Sequence, residues 1–164
     1  MIIKRSRLWF SVLAVLFFTP VCGWSQPVTV SISAATGSAT VATIVTPGVI
    51  CVSIDWLSDA TDDCVATISG VHGWLHAVTY NPDGGSTAPT ASYDITCTDE
   101  DGLDVLISTG ANLSATVTTT PAIYIAKSTL GAIGYPIYGD LTFTVANAGV
   151  ANGGIVRLWL GVNP

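Results

Sequence analysis

Apolar and polar residues alternate with a period of two through much of this chain, which is the pattern of β-strands that are buried on one face. Positions 50, 52, 54 and 56 carry Ile, Val, Ile and Trp, whereas positions 51, 53 and 55 carry Cys, Ser and Asp. No window of helical length keeps an apolar stripe at helical spacing without interruption by Gly, Pro or a β-branched residue. The pattern therefore predicts an all-β protein.

Alternating segments recur at intervals of about 8–12 residues, with Gly, Pro and Asn-Gly signals between them. They predict roughly nine or ten strands, and hence a single-domain antiparallel β-sandwich or jelly roll. Residues 33–40 are low in complexity, and we expect them to form a mobile N-terminal arm that extends to about residue 40. The clearest candidate strands cover residues 28–32, 39–45, 49–57, 64–69, 70–80, 93–97, 103–107, 141–145 and 155–160, and the segments 115–120 and 123–126 are further candidates.

The first 25 residues have the layout of a secretory signal peptide. Basic residues within positions 4–7 precede an apolar run over residues 8–18, and the small residues Gly23 and Ser25 precede Gln26. The run is shorter than the roughly 20 residues that span a bilayer, so we expect cleavage and no membrane anchor afterwards. The predicted mature chain, residues 26–164, is then exported to the periplasm, the extracellular space, or the surface of a cell or virion.

Removal of the signal leaves Lys127 and Arg157 as the basic residues against 11 acidic ones, a net charge of −9. Nucleic-acid binding needs clusters of Lys and Arg to neutralise phosphates, so this charge balance excludes nucleic acid as a partner. No acid/base pair, nucleophile–His pair or phosphate-binding loop stands out in the sequence. We therefore predict a protein that is not an enzyme and that carries no cofactor.

The predicted mature chain contains an odd number of cysteines: Cys51, Cys64 and Cys97 remain, because Cys22 lies inside the signal. In an oxidising compartment this number favours one disulfide and one buried thiol. If segments 49–57 and 64–69 form a hairpin, Cys64 lies roughly 16 Å from Cys51, too far for a bond. We predict a Cys64–Cys97 disulfide with Cys51 as a buried thiol, while a Cys51–Cys97 bond stays geometrically open.

Two acidic clusters are candidate turns or cation sites. Asp99 to Asp104 contains Asp-Gly between two alternating segments, which predicts a hairpin turn with no obligatory ion; calcium ligation is the alternative. Asp59, Asp62 and Asp63 form a second acidic turn, for which we predict no metal.

Two histidines and two aromatic residues lie at alternate positions of the candidate strand 70–80. His72 and His76 would be roughly 13 Å apart, so they cannot share a metal ion, and we interpret each as a surface or interface residue. Trp74 and Tyr80 are predicted on one face, where they could form a stacking platform for a carbohydrate ligand. The alternative is that these aromatic side chains belong to the core or to a subunit contact.

The order of several motifs is similar to that of a known group of proteins. The motifs are VTYNPDGGSTAPT at 78–90, YDITCTDEDGLDVL at 93–106, GANLS at 110–114, LTFTVANAG at 141–149 and GGIVRLWL at 153–160. From Val49 to Leu160 the chain resembles small, β-rich proteins encoded among the structural genes of tailed bacteriophages. The resemblance implies a virion-associated structural role without catalytic residues. The signal peptide departs from that group, because tailed-phage virions assemble in the cytoplasm.

These observations together predict a non-enzymatic, secreted structural β-sandwich, a subunit of a virion, a filament or a surface assembly. Its expected partners are further copies of itself or other structural subunits. The alternative hypothesis is a carbohydrate-binding module with an aromatic platform, supported in one version by calcium.

Overall fold

A computed structural model describes residues 29–124, 126–128 and 131–161 of the chain. The predicted signal peptide and its cleavage site lie outside these residues. In chain order the described strands are β1 (Ser31–Thr36), β2 (Ser38–Thr46), β3 (Val49–Leu57), β4 (Cys64–Ser69), β5 (Gly73–Pro82), β6 (Asp94–Thr98), β7 (Ala126–Ser128), β8 (Gly131–Ile133), β9 (Tyr135–Ile137), β10 (Leu141–Ala146) and β11 (Gly153–Gly161). A single 3₁₀ turn at Gly85–Thr87 is the helical segment of the described residues, none of which lie in a helix long and apolar enough to cross a membrane.

The strands form two antiparallel sheets that pack face to face, which confirms the predicted all-β sandwich. Sheet I has the order β1-β4-β10-β6, and sheet II has the order β2-β3-β11-β5-β9. The short strands β7 and β8 pair with each other as a separate ribbon. The long strands β3 and β11, which are rich in β-branched and aromatic residues, lie inside sheet II with a neighbouring strand on each side.

The core lies between the two sheets and is built from the alternate residues that the period-two pattern placed on one face. In β3 the residues at even positions, from Ile50 to Trp56, are buried in this layer. The rings of Trp56 and Tyr93 meet with their centroids 5.8 Å apart, and this contact joins sheet II to the start of β6. Each such fully buried side chain stabilises the fold by about 1.5–3 kcal/mol.

Gly37 is the corner at which the chain passes from sheet I to sheet II. Its φ of +67° is in the region that glycine favours, and a Cβ there would lie 2.5 Å from the carbonyl oxygen of Leu57. Residues 33–40, which the composition suggested as a mobile arm, belong to β1 and β2 and are paired with β4 and β3. The corner therefore places β1 and β2 at the same side of the sandwich, each as an edge strand.

Several strand predictions differ from the structure; residues 115–120, for example, form an isolated bridge between Thr119 and Tyr80 in place of a strand. Strands β3 and β4 do not form a hairpin, because residues 58–63 carry the chain from sheet II to sheet I. Residues 103–107 do not form a strand beyond a single bridge between Thr98 and Asp104. Alternation predicts which residues share a face, but it does not predict which sheet a strand joins.

Candidate interaction surface

The outer faces of the two sheets differ in chemistry. On sheet I the outward positions of neighbouring strands are mostly threonines, such as Thr67, Thr142 and Thr98, which lie opposite one another. On sheet II one outward row runs from Ile44 through Cys51 to Trp159. Sheet II therefore presents an apolar band to its surroundings, whereas sheet I presents hydroxyl groups.

Trp159 lies on β11, near the middle of the outer face of sheet II, with 37% of its surface exposed. Its indole Nε1 donates a hydrogen bond of 2.9 Å to Oγ1 of Thr79 on β5. That oxygen lies 3.1 Å from Oγ1 of Thr120. The two contacts hold the indole in one orientation, so that part of a large aromatic side chain is presented in a defined position.

A hollow of about 160 Å³ lies beside Trp159, and its lining includes Ile44, Val49, Cys51 and Arg157. Burial raises the pKa of the Cys51 thiol, and the nearby positive charge of Arg157 opposes that shift. A second hollow, of about 430 Å³, is also lined by Trp159 and shares Val49 with the first. Trp159 thus lines two shallow depressions, one lined in part by Arg157 and the other in part by His76.

A β-bulge in β5 changes which residues face outward, and it contradicts the predicted aromatic platform. Trp159 pairs with Ala77, while the next residue of β11 pairs with Leu75, so His76 is the extra residue. Before the bulge Trp74 lies in the outward row, but after it Tyr80 points into the core and is 1% exposed. Trp74 and Tyr80 therefore do not share a face, and burial raises the pKa of the Tyr80 hydroxyl.

The two histidines lie at the surface, which agrees with the sequence interpretation. His72 precedes β5, His76 lies at the bulge, and both side chains are exposed. Among the described residues, no group of three or more His, Cys, Asp or Glu side chains is arranged to hold a metal ion.

The edge of sheet II formed by β2 is long and regular. All nine of its residues pair with β3 without a shift of register. Ile44 and Val45 are exposed at 61% and 51%, and no residue from 29 to 54 is charged. Within the described residues, no backbone–backbone hydrogen bond outside the β2–β3 ladder involves β2, although the Cys64 thiol donates to the carbonyl oxygen of Ser38 at its start. Every second residue of such a strand directs its N–H and C=O groups away from the sheet.

The edge of sheet I formed by β6 is instead covered by the loop that follows it. The amide of Ile95 donates to Gly110 O at 2.8 Å, and the amide of Val105 donates to Cys97 O at 2.8 Å. A Cβ at Gly110 would lie 2.1 Å from the Ile95 carbonyl oxygen, so this close approach requires glycine. Three outward groups of β6, the Ile95 amide and the amide and carbonyl of Cys97, therefore have intramolecular partners.

The carboxylate of Asp104 organises this covering loop. It accepts hydrogen bonds from the amides of Cys97 at 3.2 Å, Leu106 at 3.1 Å and Ser108 at 2.8 Å. Ile107 and Ser108 both have positive φ, so the chain curls where the alternation predicted a strand over 103–107. The sequence interpretation was wrong there, because a carboxylate that binds nearby amides competes with a ladder partner.

Both acidic clusters form turns closed by their own backbone. The amide of Asp99 donates to Leu103 O at 3.0 Å, which agrees with the predicted turn between residues 99 and 104. The amide of Asp59 likewise donates to Asp63 O at 2.9 Å. Hydrogen bonds from the Thr61 hydroxyl and amide hold the pKa of the Asp59 carboxyl below its usual value.

The cysteines correct the predicted disulfide. Cys51, Cys64 and Cys97 are all buried free thiols in the structure. Cys64 pairs with Val145 and Cys97 pairs with Phe143, on opposite sides of β10. Two strand spacings of about 4.8 Å separate them, which exceeds the Cα distance of up to about 6.8 Å that a disulfide tolerates. Cys51 is a buried thiol as predicted, but it lies on the outer side of sheet II and not in the core between the sheets.

Sequence reasoning missed Trp159 and the β2 edge as surface features. A signal for Trp159 was present, because residues 155, 157 and 159 alternate with the core residues Val156 and Leu158. The signal for the edge was the absence of charged residues between Arg7 and Asp55. Neither signal could be interpreted without the strand order, which shows where the segment lies.

Comparison with known proteins adds no assignment. No protein-family model matches the chain, and no curated protein is significantly similar to it.

Proposed function

We propose that this protein is a non-enzymatic, exported structural subunit that assembles with further subunits through the uncharged side of its sandwich. That side comprises β1, β2 and residues 49–54 of β3, none of which is charged, together with the outer face around Trp159, where Arg157 is the charged neighbour. We call it the neutral side. The role fits the resemblance to structural proteins of tailed bacteriophages, with export adapting the fold to an assembly outside the cytoplasm.

The separation of charge from exposed apolar surface carries the proposal. All 11 acidic residues lie between positions 55 and 140, whereas residues 29–54 are uncharged. The same uncharged segment contains the exposed side chains Ile44, Val45 and Val49. An exposed apolar patch of this kind marks an interaction site more often than a free surface. Subunits of net charge −9 can approach one another closely where that charge is absent.

The direct test is the oligomeric state of the chain from Gln26 to Pro164, measured by light scattering after size-exclusion chromatography. We expect multimers whose population rises between about 1 and 100 μM, the range in which association of about −8 to −5 kcal/mol is detected. A monomer throughout that range, with no polymer visible by negative-stain electron microscopy, would contradict the proposal.

Carbohydrate binding at Trp159 is the second candidate, and the tethered indole is the observation that favours it. The ring is half-buried and held by Thr79, and it lines two hollows, one that includes Arg157 and one that includes His76. A fixed aromatic face with polar donors at its ends is suited to stacking against a sugar ring.

Tryptophan fluorescence of the purified chain, titrated with a panel of soluble neutral and acidic oligosaccharides, tests this second role. Saturable quenching that is lost in Trp159→Ala and kept in Trp74→Ala would support it. No saturable response to any member of the panel would count against it.

A further inference from the structure

The edges of the two sheets are protected to different degrees. Strand β1 has a register shift between Ala34 and Thr36, β9 has three residues, and β6 is covered by the loop after it. Bulges, short length and covering loops are the ways in which proteins protect edges. Strand β2 has none of these devices within the described residues: it has nine residues, a regular register and no charge.

We propose that β2 is the assembly strand of this protein, and that it pairs antiparallel with β2 of a second copy about a two-fold axis. The two five-stranded sheets would then continue into one sheet of ten strands. This inference rests on the proposed assembly role and specifies its contact. Main-chain hydrogen bonds supply the affinity in such strand addition, and the alternate side chains supply the register.

A second copy fits this edge better than a basic partner does. The acidic turns around Asp59 and Asp99 lie outside β2, whose own residues carry no charge to attract a basic partner; the nearest carboxylate in the ladder is that of Asp55, opposite Thr40. Two copies of this acidic chain repel each other wherever those turns meet, and the repulsion is smallest where neutral side faces neutral side. A two-fold axis also makes one surface serve both subunits.

The geometry of the β2–β3 hairpin selects the register. Thr46 and Val49 flank a two-residue loop in which Gly48 has a φ of +82°, so they form the hydrogen-bonded pair that closes it. Because such pairs alternate, Val41 and Thr43 direct their N–H and C=O groups away from β3. A two-fold axis through Ala42 pairs Val41 with Thr43 of the second copy and uses all nine residues of β2.

In this register the side chains of the two strands are complementary. On the outer face Ile44 lies opposite Thr40 of the second copy, and on the core side Val45 lies opposite Ala39. Each pair joins a larger side chain to a smaller one, and none brings like charges together.

Two variants of the mature chain test the proposal. Thr43→Pro removes an outward N–H from an edge position, where proline is tolerated, without removing a bond to β3. We expect the association constant to fall about tenfold or more, since two hydrogen bonds are lost per dimer. Circular dichroism and thermal unfolding of the same sample show whether the fold is kept.

The second variant, Ala42→Cys, reports the register directly. The two Ala42 positions form a non-hydrogen-bonded pair with Cα atoms about 4.5 Å apart, within the range that a disulfide accepts. We expect a disulfide-linked dimer on mild oxidation. The matched control, Thr40→Cys, should not cross-link, because its two copies would lie four residues apart along the strand, about 13 Å.

The outcomes separate this inference from the proposed function. A multimeric wild-type chain with unchanged association in Thr43→Pro and no cross-link in Ala42→Cys would overturn the β2 contact and leave the assembly role standing. A wild-type chain that stays monomeric would overturn both. Cross-linking of Thr40→Cys with none of Ala42→Cys would overturn the register and with it the two-fold pairing proposed here.

Discussion

Strands β6 and β2 are both edges of the same sandwich, but they differ in whether their outward backbone groups have hydrogen-bond partners. Three of the outward groups of β6 are bonded to the loop that contains Asp104 and Gly110. Those of β2 have no such partner within the described residues. The difference shows that the fold closes one edge with a chain segment of its own and leaves the other uncharged, regular and partly apolar. An edge of the second kind is suited to strand pairing with another chain.

The largest expected effect concerns the close approach of the loop to β6. In Gly110→Ala a Cβ would be placed 2.1 Å from the Ile95 carbonyl oxygen, so the loop must move away from the edge. We expect a loss of about 3 kcal/mol in the free energy of unfolding, measured by urea denaturation. The control is Gly84→Ala, whose Cβ would meet nothing within 4 Å. Equal stability of the two variants would show that the covering loop is not held to β6.

The next effect concerns the carboxylate that organises the loop. In Asp104→Ala the amides of Cys97, Leu106 and Ser108 lose their acceptor. Hydrogen bonds to charged groups contribute about 1.5–3 kcal/mol, so we expect a loss of about 2–3 kcal/mol in unfolding free energy. Asp101→Ala, at an exposed position of the same loop, should remain within about 0.5 kcal/mol of the wild type. If both variants lose the same amount, loop charge rather than this acceptor is the cause.

Ile44→Thr should separate stability from association at the β2 edge. The side chain is 61% exposed, so its truncation should change the unfolding free energy by no more than about 0.5 kcal/mol. Light scattering should nevertheless show weaker association than in the wild type, because Ile44 belongs to the exposed apolar band. A large loss of stability would mean that Ile44 acts mainly within the subunit.

The smallest expected effect is that of calcium. The turns at Asp59 and Asp99 are closed by backbone hydrogen bonds. Their carboxylates also accept hydrogen bonds from the chain, Asp59 from the Thr61 hydroxyl and Asp99 from the Leu103 amide. We therefore expect millimolar calcium to leave the thermal midpoint unchanged, since only ligands that bind the native state raise it. A rise of several degrees would make the acidic loop over β6 a cation site and would change the comparison of the two edges.

Much of the fold follows from the alternation of residues, and the exceptions have identifiable causes. The outward and inward positions of β3 and β11 could be predicted because both strands keep a period of two throughout. The predicted Trp74–Tyr80 platform was wrong because one bulge residue, His76, reverses the faces of β5. A bulge of this kind cannot be predicted from the local sequence pattern, because its cause is the pairing of β5 with β11.

The disulfide prediction was wrong for a reason of topology. Strand β10 lies between β4, which carries Cys64, and β6, which carries Cys97. The assumption that β3 and β4 are neighbours, which excluded a Cys51–Cys64 bond, was also wrong, because they belong to different sheets. Strand β10, which separates Cys64 from Cys97, lies more than 40 residues after the later of the two in sequence. Contacts over such distances in sequence are decided by the packing of the whole sandwich.

Hydrogen–deuterium exchange tests the central claim most directly. It is measured on the chain from Gln26 to Pro164 at about 1 and 100 μM, because the fraction of associated subunits should rise steeply between these two concentrations. We expect a peptide covering β2 to exchange about half of its amides quickly when dilute and to become protected when concentrated. A peptide covering β6 should be protected at both concentrations. Uptake in β2 that does not change with concentration while the protein is multimeric would contradict the claim that the neutral edge is where subunits meet.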